Sequence, residues 1–391
     1  MTYNFDEIID RTNTNSVKFD LREQLFGRKD IIPMWVADMD FKTPDFIVDI
    51  VKKRAEHEIF GYSYRSDSYF DALINWVKRR HNWKINKEWI AFSPGVVPAV
   101  NMAIQAFTKL NDGIIIQPPV YFPFFSAIEN NNRKVLTNPL KLENGRYNIN
   151  FDDLAEKAPK AKMIIISNPH NPGGSVWTKK ELTKLANICI KNNVLIISDE
   201  IHCDLVYRNY KYTPIASINN EIANNTLSFL AASKTFNIAG LATASVVCSN
   251  NSLLQRYNNI VEQIHIGSGN VFGSIASEAA YNNGDIWLDE LLQYLSNNIT
   301  YAEKFIKKNI PGISLIKPEG TYLIWLDCRK LNLDQNCLKD FFINEAGIGL
   351  NDGLAFGIEG EGFMRMNIAC PKEILVKALN QIKLAVENLK N

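Results

Sequence analysis

The chain has 391 residues, is 46% hydrophobic and is nearly neutral, with 43 basic against 42 acidic residues. That is enough apolar material for two domains or one large α/β domain with an appendage. The balanced charge offers no field for nucleic acid or an anionic membrane surface, so a small, chemically specific partner is expected.

The N-terminal stretch MTYNFDEIIDRTNTNSVKFD lacks the basic and apolar regions of a secretory signal, and no run reaches the ~18 apolar residues that span a bilayer. Its first forty or so residues read as an arm ending in IIPMWVADMDF. Thr43-Pro44-Asp45 predicts a cap for a helix over DFIVDIVKKRAEHE, and Ser93-Pro94-Gly95 predicts the start of another through VVPAVNMAIQAFTKL. Short apolar runs follow at 112–119 (DGIIIQPP), 162–169 (KMIIISNP), 193–200 (NVLIISDE) and 226–233 (TLSFLAAS), with helix-like segments such as ELTKLANICIKNN between several of them. Runs without alternation predict strands covered on both faces, hence an α/β fold with a mostly parallel sheet flanked by helices. Each run ends in polar or turn residues (Gln117-Pro118, Ser167-Asn168-Pro169, Ser198-Asp199-Glu200, Ser233-Lys234), and such endings converge on the ligand crevice of an open α/β sheet.

After about Gly284 the texture changes. A long helical stretch, WLDELLQYLSNNITYAEKFIKKN, leads to GTYLIWLDC, a helix at CLKDFFINEAG, a strand at GFMRMNIAC and a terminal helix KEILVKALNQIKLAVENL. This mixture predicts a smaller C-terminal α+β domain. The division is an arm and part of the small domain at 1–45, a large domain at 46–283 and the small domain at 284–391. The six cysteines, Cys189, Cys203, Cys248, Cys328, Cys337 and Cys370, form no C-x-x-C pair and read as reduced core thiols of a cytoplasmic protein.

Lys234 is the only charged residue between Ile222 and Gln255. An apolar setting disfavours an ammonium, lowers its pKa and frees the amine as a nucleophile toward an aldehyde, as a Schiff-base lysine requires. A pyridoxal ring would add a need for a carboxylate at its nitrogen, open to Asp199. Tyr121 could stack on such a ring, Asn171 could donate to its phenolic oxygen, and the helix start at Gly95, Val96 and Val97 could receive a phosphate. Each residue alone also has a plainer reading. Lys234 could snorkel from a strand end, Asp199 and Glu200 could cap a helix, Asn171-Pro172-Gly173-Gly174 could be a turn, Tyr121 could be core, and Arg365 could form a surface ion pair. A metal site from Asp199, Glu200, His202 and His170 would leave Lys234 and the helix start unexplained.

Taken in order, SPGVVPA, PPVYFPF, NPHNPGG, ISDEIHCDL, SKTFNIAGL and FMRMNIACP resemble fold-type I pyridoxal-phosphate enzymes of the class I/II aminotransferase superfamily. With WVADMDF and FGYSY, the chain is most similar to the cystathionine β-lyase (C-S lyase) branch, which includes modulators of the maltose system. The resemblance implies a large domain with a seven-stranded sheet and pyridoxal 5'-phosphate bonded to Lys234. It implies Asp199 at the ring nitrogen, Asn171 at the phenolic oxygen, Tyr121 stacking, and Val96, Val97 and Ser233 at the phosphate. Arg365 would grip the substrate α-carboxylate, and Tyr62 would reach the phosphate of a neighbouring subunit in a homodimer. His202 stands where aspartate-type transaminases place a tyrosine, which fits the lyase branch. Ala231 stands where many relatives carry a phosphate-binding serine, and this lowers the expected cofactor affinity. The reaction implied is α,β-elimination of a cysteine S-conjugate. An aminotransferase with the same lysine and cofactor is the alternative, and a lyase with an added regulatory binding role is a lesser one.

Overall fold

The computed structural model describes residues 2–389. Successive side chains of a strand point to opposite faces, so a run of apolar residues must be covered on both. The strands are β1 (Ile90–Ser93), β2 (Gly113–Ile116), β3 (Lys134–Thr137), β4 (Ala161–Ser167), β5 (Leu195–Asp199), β6 (Thr226–Leu230) and β7 (Ala244–Val247). They form one seven-stranded sheet in the order β1-β7-β6-β5-β4-β2-β3. Every neighbouring pair is parallel except those made by β7, which runs antiparallel to both β6 and β1. Ile114, Ile116, Met163, Ile165, Ile197 and Phe229 join the core on one face. Ile115, Ile164, Ile166 and Ile196 join that on the other, with Trp177, Leu182 and Leu185. The mostly parallel α/β sheet expected from the runs is therefore present.

Helices α1 (Asp67–His81), α2 (Val96–Phe107) and α3 (Lys179–Lys191) flank this sheet. α3 forms where apolar residues recur at helical spacing, burying Leu182, Leu185, Ala186 and Cys189. Its start is fixed by a capping box. Thr178 Oγ1 accepts from the Glu181 N–H at 3.2 Å, and Glu181 Oε2 accepts from the Thr178 N–H at 2.7 Å. α2 has no such device. It opens at Gly95 with no side-chain cap bond, so its first N–H groups lack an intrahelical partner.

The C-terminal part holds a second, antiparallel sheet of β8 (Ser314–Ile316), β9 (Leu323–Asp327), β10 (Asn351–Asp352) and β11 (Phe363–Asn367), in the order β8-β9-β11-β10. α4 (Asp285–Asn309) and α5 (Lys372–Asn388) share its core. The arm is stitched to this part. Ile32 and Pro33 pair in parallel with Ile348 and Gly349, and Asn367 Nδ2 donates to the carbonyls of Val36 at 2.6 Å and Asp38 at 2.5 Å.

Several expectations change in detail. The helix expected over 45–58 ends at Ala55, and Thr43 does not cap it, because its hydroxyl donates to the Asn237 carbonyl at 3.1 Å instead. The helix expected to Leu110 stops at Phe107. CLKDFFINEAG is α-helical only over Gln335–Asp340 and then widens into a π turn at Phe341–Glu345. All six cysteines are free, but Cys337 is exposed, since that short helix buries Gln335 and Leu338 rather than the 337 position. Among the described residues no helix is long and apolar enough to cross a membrane.

Candidate active site

The last residues of β4 and β5 and the turn after β6 meet the start of α2 around a cavity of about 200 Å³. Its lining includes Val96, Val97, Tyr121, Asn171, Asp199, His202, Ser233 and Lys234, so eight of the ten residues singled out in the sequence come together. Two other expected strand-end groups do not join them. Gln117 Nε2 donates to Asn138 Oδ1 at 2.9 Å, and Asn168 Nδ2 donates to the Thr213 carbonyl at 3.1 Å.

Lys234 Nζ donates to the Ala37 carbonyl at 2.6 Å. Desolvation, helped by the positive charge of Arg365, brings its amine down to about 8, against the opposing pull of Asp38 and Asp199. Asp199 is buried at the end of β5. Burial pushes its carboxyl up to about 7, although its Oδ1 accepts from the Ile201 N–H at 3.0 Å and Lys234 draws it back. Burial, then the charges of Lys234 and Arg365, takes His202 down to about 3, so its ring is neutral and its Nδ1 has no partner among the described residues. Glu200 is structural: its carboxylate accepts from Ser198 Oγ at 2.8 Å and from the Tyr212 hydroxyl at 2.6 Å, outside the cavity.

Arg365 projects from the middle of β11, opposite Trp325, and is buried. Its Nη1 donates to Asn171 Oδ1 at 2.9 Å, and its Nη2 donates to the Trp35 carbonyl at 3.1 Å and to Asn351 Oδ1 at 2.5 Å. These acceptors are neutral, and Nε is buried without a partner. A buried cation without a counter-ion is costly, and here burial lowers the guanidinium to about 10. The arrangement suits a ligand carboxylate, which would supply both the missing charge and an acceptor.

The remaining donors match pyridoxal phosphate in kind. The uncapped start of α2, at Val96 and Val97, and the Ser233 hydroxyl offer hydrogen bonds to a phosphate. Lys234 offers an amine to an aldehyde, Asp199 an acid group to a ring nitrogen, and Tyr121 a half-buried ring. Because Asn171 Oδ1 is committed to Arg365, its amide end is the one available to an acceptor in the cavity. Ala231 lies in the core beneath the sheet end and does not line the cavity. Tyr62 is fully exposed and outside the cavity of its own chain.

Sequence reasoning missed the residues whose contribution is a backbone oxygen or a neutral bond to Arg365. These are Ala37, Trp35 and Asn351, together with Tyr322, whose hydroxyl also reaches the Ala37 carbonyl at 2.9 Å. WVADMDF and GLNDG carry no pattern that announces such contacts. Behind the site, His81, Cys203 and Asp204 stand close enough to share a metal. The Asp204 carboxylate is already engaged, accepting from Trp76 Nε1 at 3.0 Å and Thr235 Oγ1 at 2.9 Å, and it pairs with His81 Nε2 at 2.7 Å.

A family profile described as aminotransferase class I and II matches residues 29–382. The chain is 41% identical over 385 residues to the cystathionine β-lyase PatB of Bacillus subtilis (strain 168), covering 98% of this chain and 100% of that one. Among solved structures it is similar to a pyridoxal-phosphate-bound protein from Clostridium difficile 630 that carries an aminotransferase designation, with 47% identity, TM-score 0.97, and 98% and 100% of the two chains covered. It is also similar to cystalysin from Treponema denticola, which contains pyridoxal 5'-phosphate, with 36% identity, TM-score 0.96 and both chains fully covered.

Proposed function

The chain belongs to the aminotransferase class I and II family, and from that premise we propose that it is a pyridoxal-phosphate-dependent carbon–sulfur β-lyase. It takes an L-amino acid bearing sulfur at Cβ and releases a thiol, pyruvate and ammonia with uptake of water. L-Cystathionine would give homocysteine. The observation that carries the reading is Arg365, a buried guanidinium with an unpartnered Nε, in contact with Asn171 on the wall of the cavity that holds Lys234 and Asp199. The full-length similarity to a cystathionine β-lyase favours elimination.

When bound, pyridoxal phosphate supplies an aldehyde that joins amines and a protonated ring that withdraws the electrons left at Cα when its proton departs. Lys234 would join it, Asp199 would hold a proton at the ring nitrogen, Tyr121 would cover the ring and the Asn171 amide would donate to the phenolic oxygen. Val96, Val97 and Ser233 would hold the phosphate. Arg365 holds the substrate carboxylate, which fixes Cα beside Lys234, and the amine takes the Cα proton. An amine brought down to about 8 by desolvation is a competent base near neutral pH. Electrons from Cα then expel the thiolate from Cβ.

The same reading makes the protein a homodimer in which Tyr62 reaches the phosphate of the partner subunit's site. Ile59, Phe60, Tyr62 and Tyr64 form an exposed apolar segment, a feature expected of a surface covered in an assembly. Six free cysteines fit a reducing, cytoplasmic setting.

The test is pyruvate release from cystathionine, cystine or S-alkyl cysteines by the purified protein with pyridoxal phosphate, and its loss in Lys234→Ala. No pyruvate from any of them would refute the assignment. The aminotransferase reading keeps one support, the designation of the 47% identical relative. It would require a 2-oxo acid for turnover.

A further inference from the structure

We propose that Tyr322 is a positioning residue for Lys234, acting through the carbonyl of Ala37. The Tyr322 hydroxyl and Lys234 Nζ donate to the same oxygen, at 2.9 and 2.6 Å. One acceptor therefore holds both groups side by side. Tyr322 is fully buried and meets the His202 ring edge-on at 5.9 Å.

The backbone that delivers Tyr322 is strained. Thr321 has φ of 69°, and it is the one β-branched residue in the left-handed region among the described residues. Such a residue is a costly outlier that persists only where its surroundings over-determine it. Here three bonds do so. The Thr321 N–H donates to the Leu205 carbonyl at 2.6 Å, its carbonyl accepts from the Tyr207 hydroxyl at 2.5 Å, and its Oγ1 accepts from the Leu323 N–H at 3.1 Å. The strain and its restraints fix where the Tyr322 side chain begins.

Ala37 is held as firmly from the other direction. The carbonyls on either side of it, from Val36 and Asp38, accept from Asn367 Nδ2, and that of Trp35 accepts from Arg365. A lysine that is bonded to the cofactor in one part of the cycle and free in another needs a defined place for its amine when free. A fixed acceptor shortens the search before the amine attacks again. In this account Tyr322 pins the docking oxygen. The inference rests on reading Lys234 as the residue that joins the cofactor.

The experiment strips the cofactor from the wild-type protein and from Tyr322→Phe, adds pyridoxal phosphate, and follows by absorbance the condensation of the lysine amine with the aldehyde, which releases one water. kcat and KM are measured on the reloaded proteins. The expected result is capture slowed on the order of tenfold in Tyr322→Phe, with a comparable fall in kcat and little change in KM. Tyr207→Phe, which loosens Thr321, should slow capture in the same direction by less, and it carries the test if Tyr322→Phe does not fold. Capture and kcat at the wild-type values in these variants, even with a lower melting temperature, would overturn the inference. A wild-type protein that forms no covalent adduct at Lys234 would refute the cofactor reading itself.

Discussion

Arg365 and Asn171 are a bonded pair at 2.9 Å, one from the four-stranded sheet and the other from the turn after β4. The pair links the two sheets at the cavity while leaving the guanidinium without a negative partner among the described residues. A site that keeps an unneutralised buried cation trades stability for binding.

Arg365 should show that trade directly. Replacing it with methionine removes a desolvated charge, so urea unfolding should show stability unchanged or raised. The same change deletes at least two charge-assisted bonds to the substrate carboxylate, together about 3 kcal/mol, so kcat/KM should fall roughly a hundredfold or more.

The pH dependence of stability in the cofactor-free protein follows from two groups. Asp199 is raised from 3.8 to about 7, so between those values the folded chain binds a proton that the unfolded chain does not, and stability falls as pH rises. Lys234 is lowered from 10.5 to about 8, so between those values the unfolded chain binds the extra proton, and stability rises with pH. Each slope approaches ~1.4 kcal/mol per pH unit at most. Urea midpoints against pH should lose the acid-side slope in Asp199→Asn and the alkaline-side slope in Lys234→Met.

Ala231→Ser should leave the affinity for pyridoxal phosphate unchanged, because position 231 lies in the core and outside the lining of the cavity. Fluorescence titration of the stripped protein measures it. A Kd tightened roughly two- to tenfold, the worth of one added hydroxyl bond at about 0.5–1.5 kcal/mol, would show that a side chain at 231 does reach the phosphate.

The homodimer reading is open to complementation. Lys234→Ala and Tyr62→Ala proteins should each be nearly inactive. Unfolded and refolded together, they should regain activity, because a mixed dimer contains one site with both residues intact. Absence of recovery in a mixture shown to form mixed dimers would count against a shared site.

The runs at 162–167, 195–199 and 226–230 were legible because strands buried on both faces leave unbroken apolar sequence. β1, β3 and β7 were not picked out: IAFS, KVLT and ASVV lack the unbroken isoleucine run that marks the equally short β2, GIII, and β3 is also a partly exposed edge. In the site, Lys234 stood out because a lone charge in an apolar run is chemically conspicuous, and Asp199 because it is the first acid at the end of an unbroken apolar strand. Arg365 was legible through the family resemblance, as the grip for a substrate carboxylate, but its neutral partners Asn351 and Trp35 were not. The Ala37 carbonyl could not be read at all, since it meets Lys234 across 197 residues through a backbone atom that every residue type carries.

The most direct test of the central claim is the product balance with L-cystathionine and pyridoxal phosphate in the absence of any 2-oxo acid. The lyase account predicts continuous turnover with homocysteine, pyruvate and ammonia in equal amounts, abolished in Lys234→Ala. A reaction that stalls after one equivalent, with the cofactor left in its amine form until a 2-oxo acid is added, would contradict it.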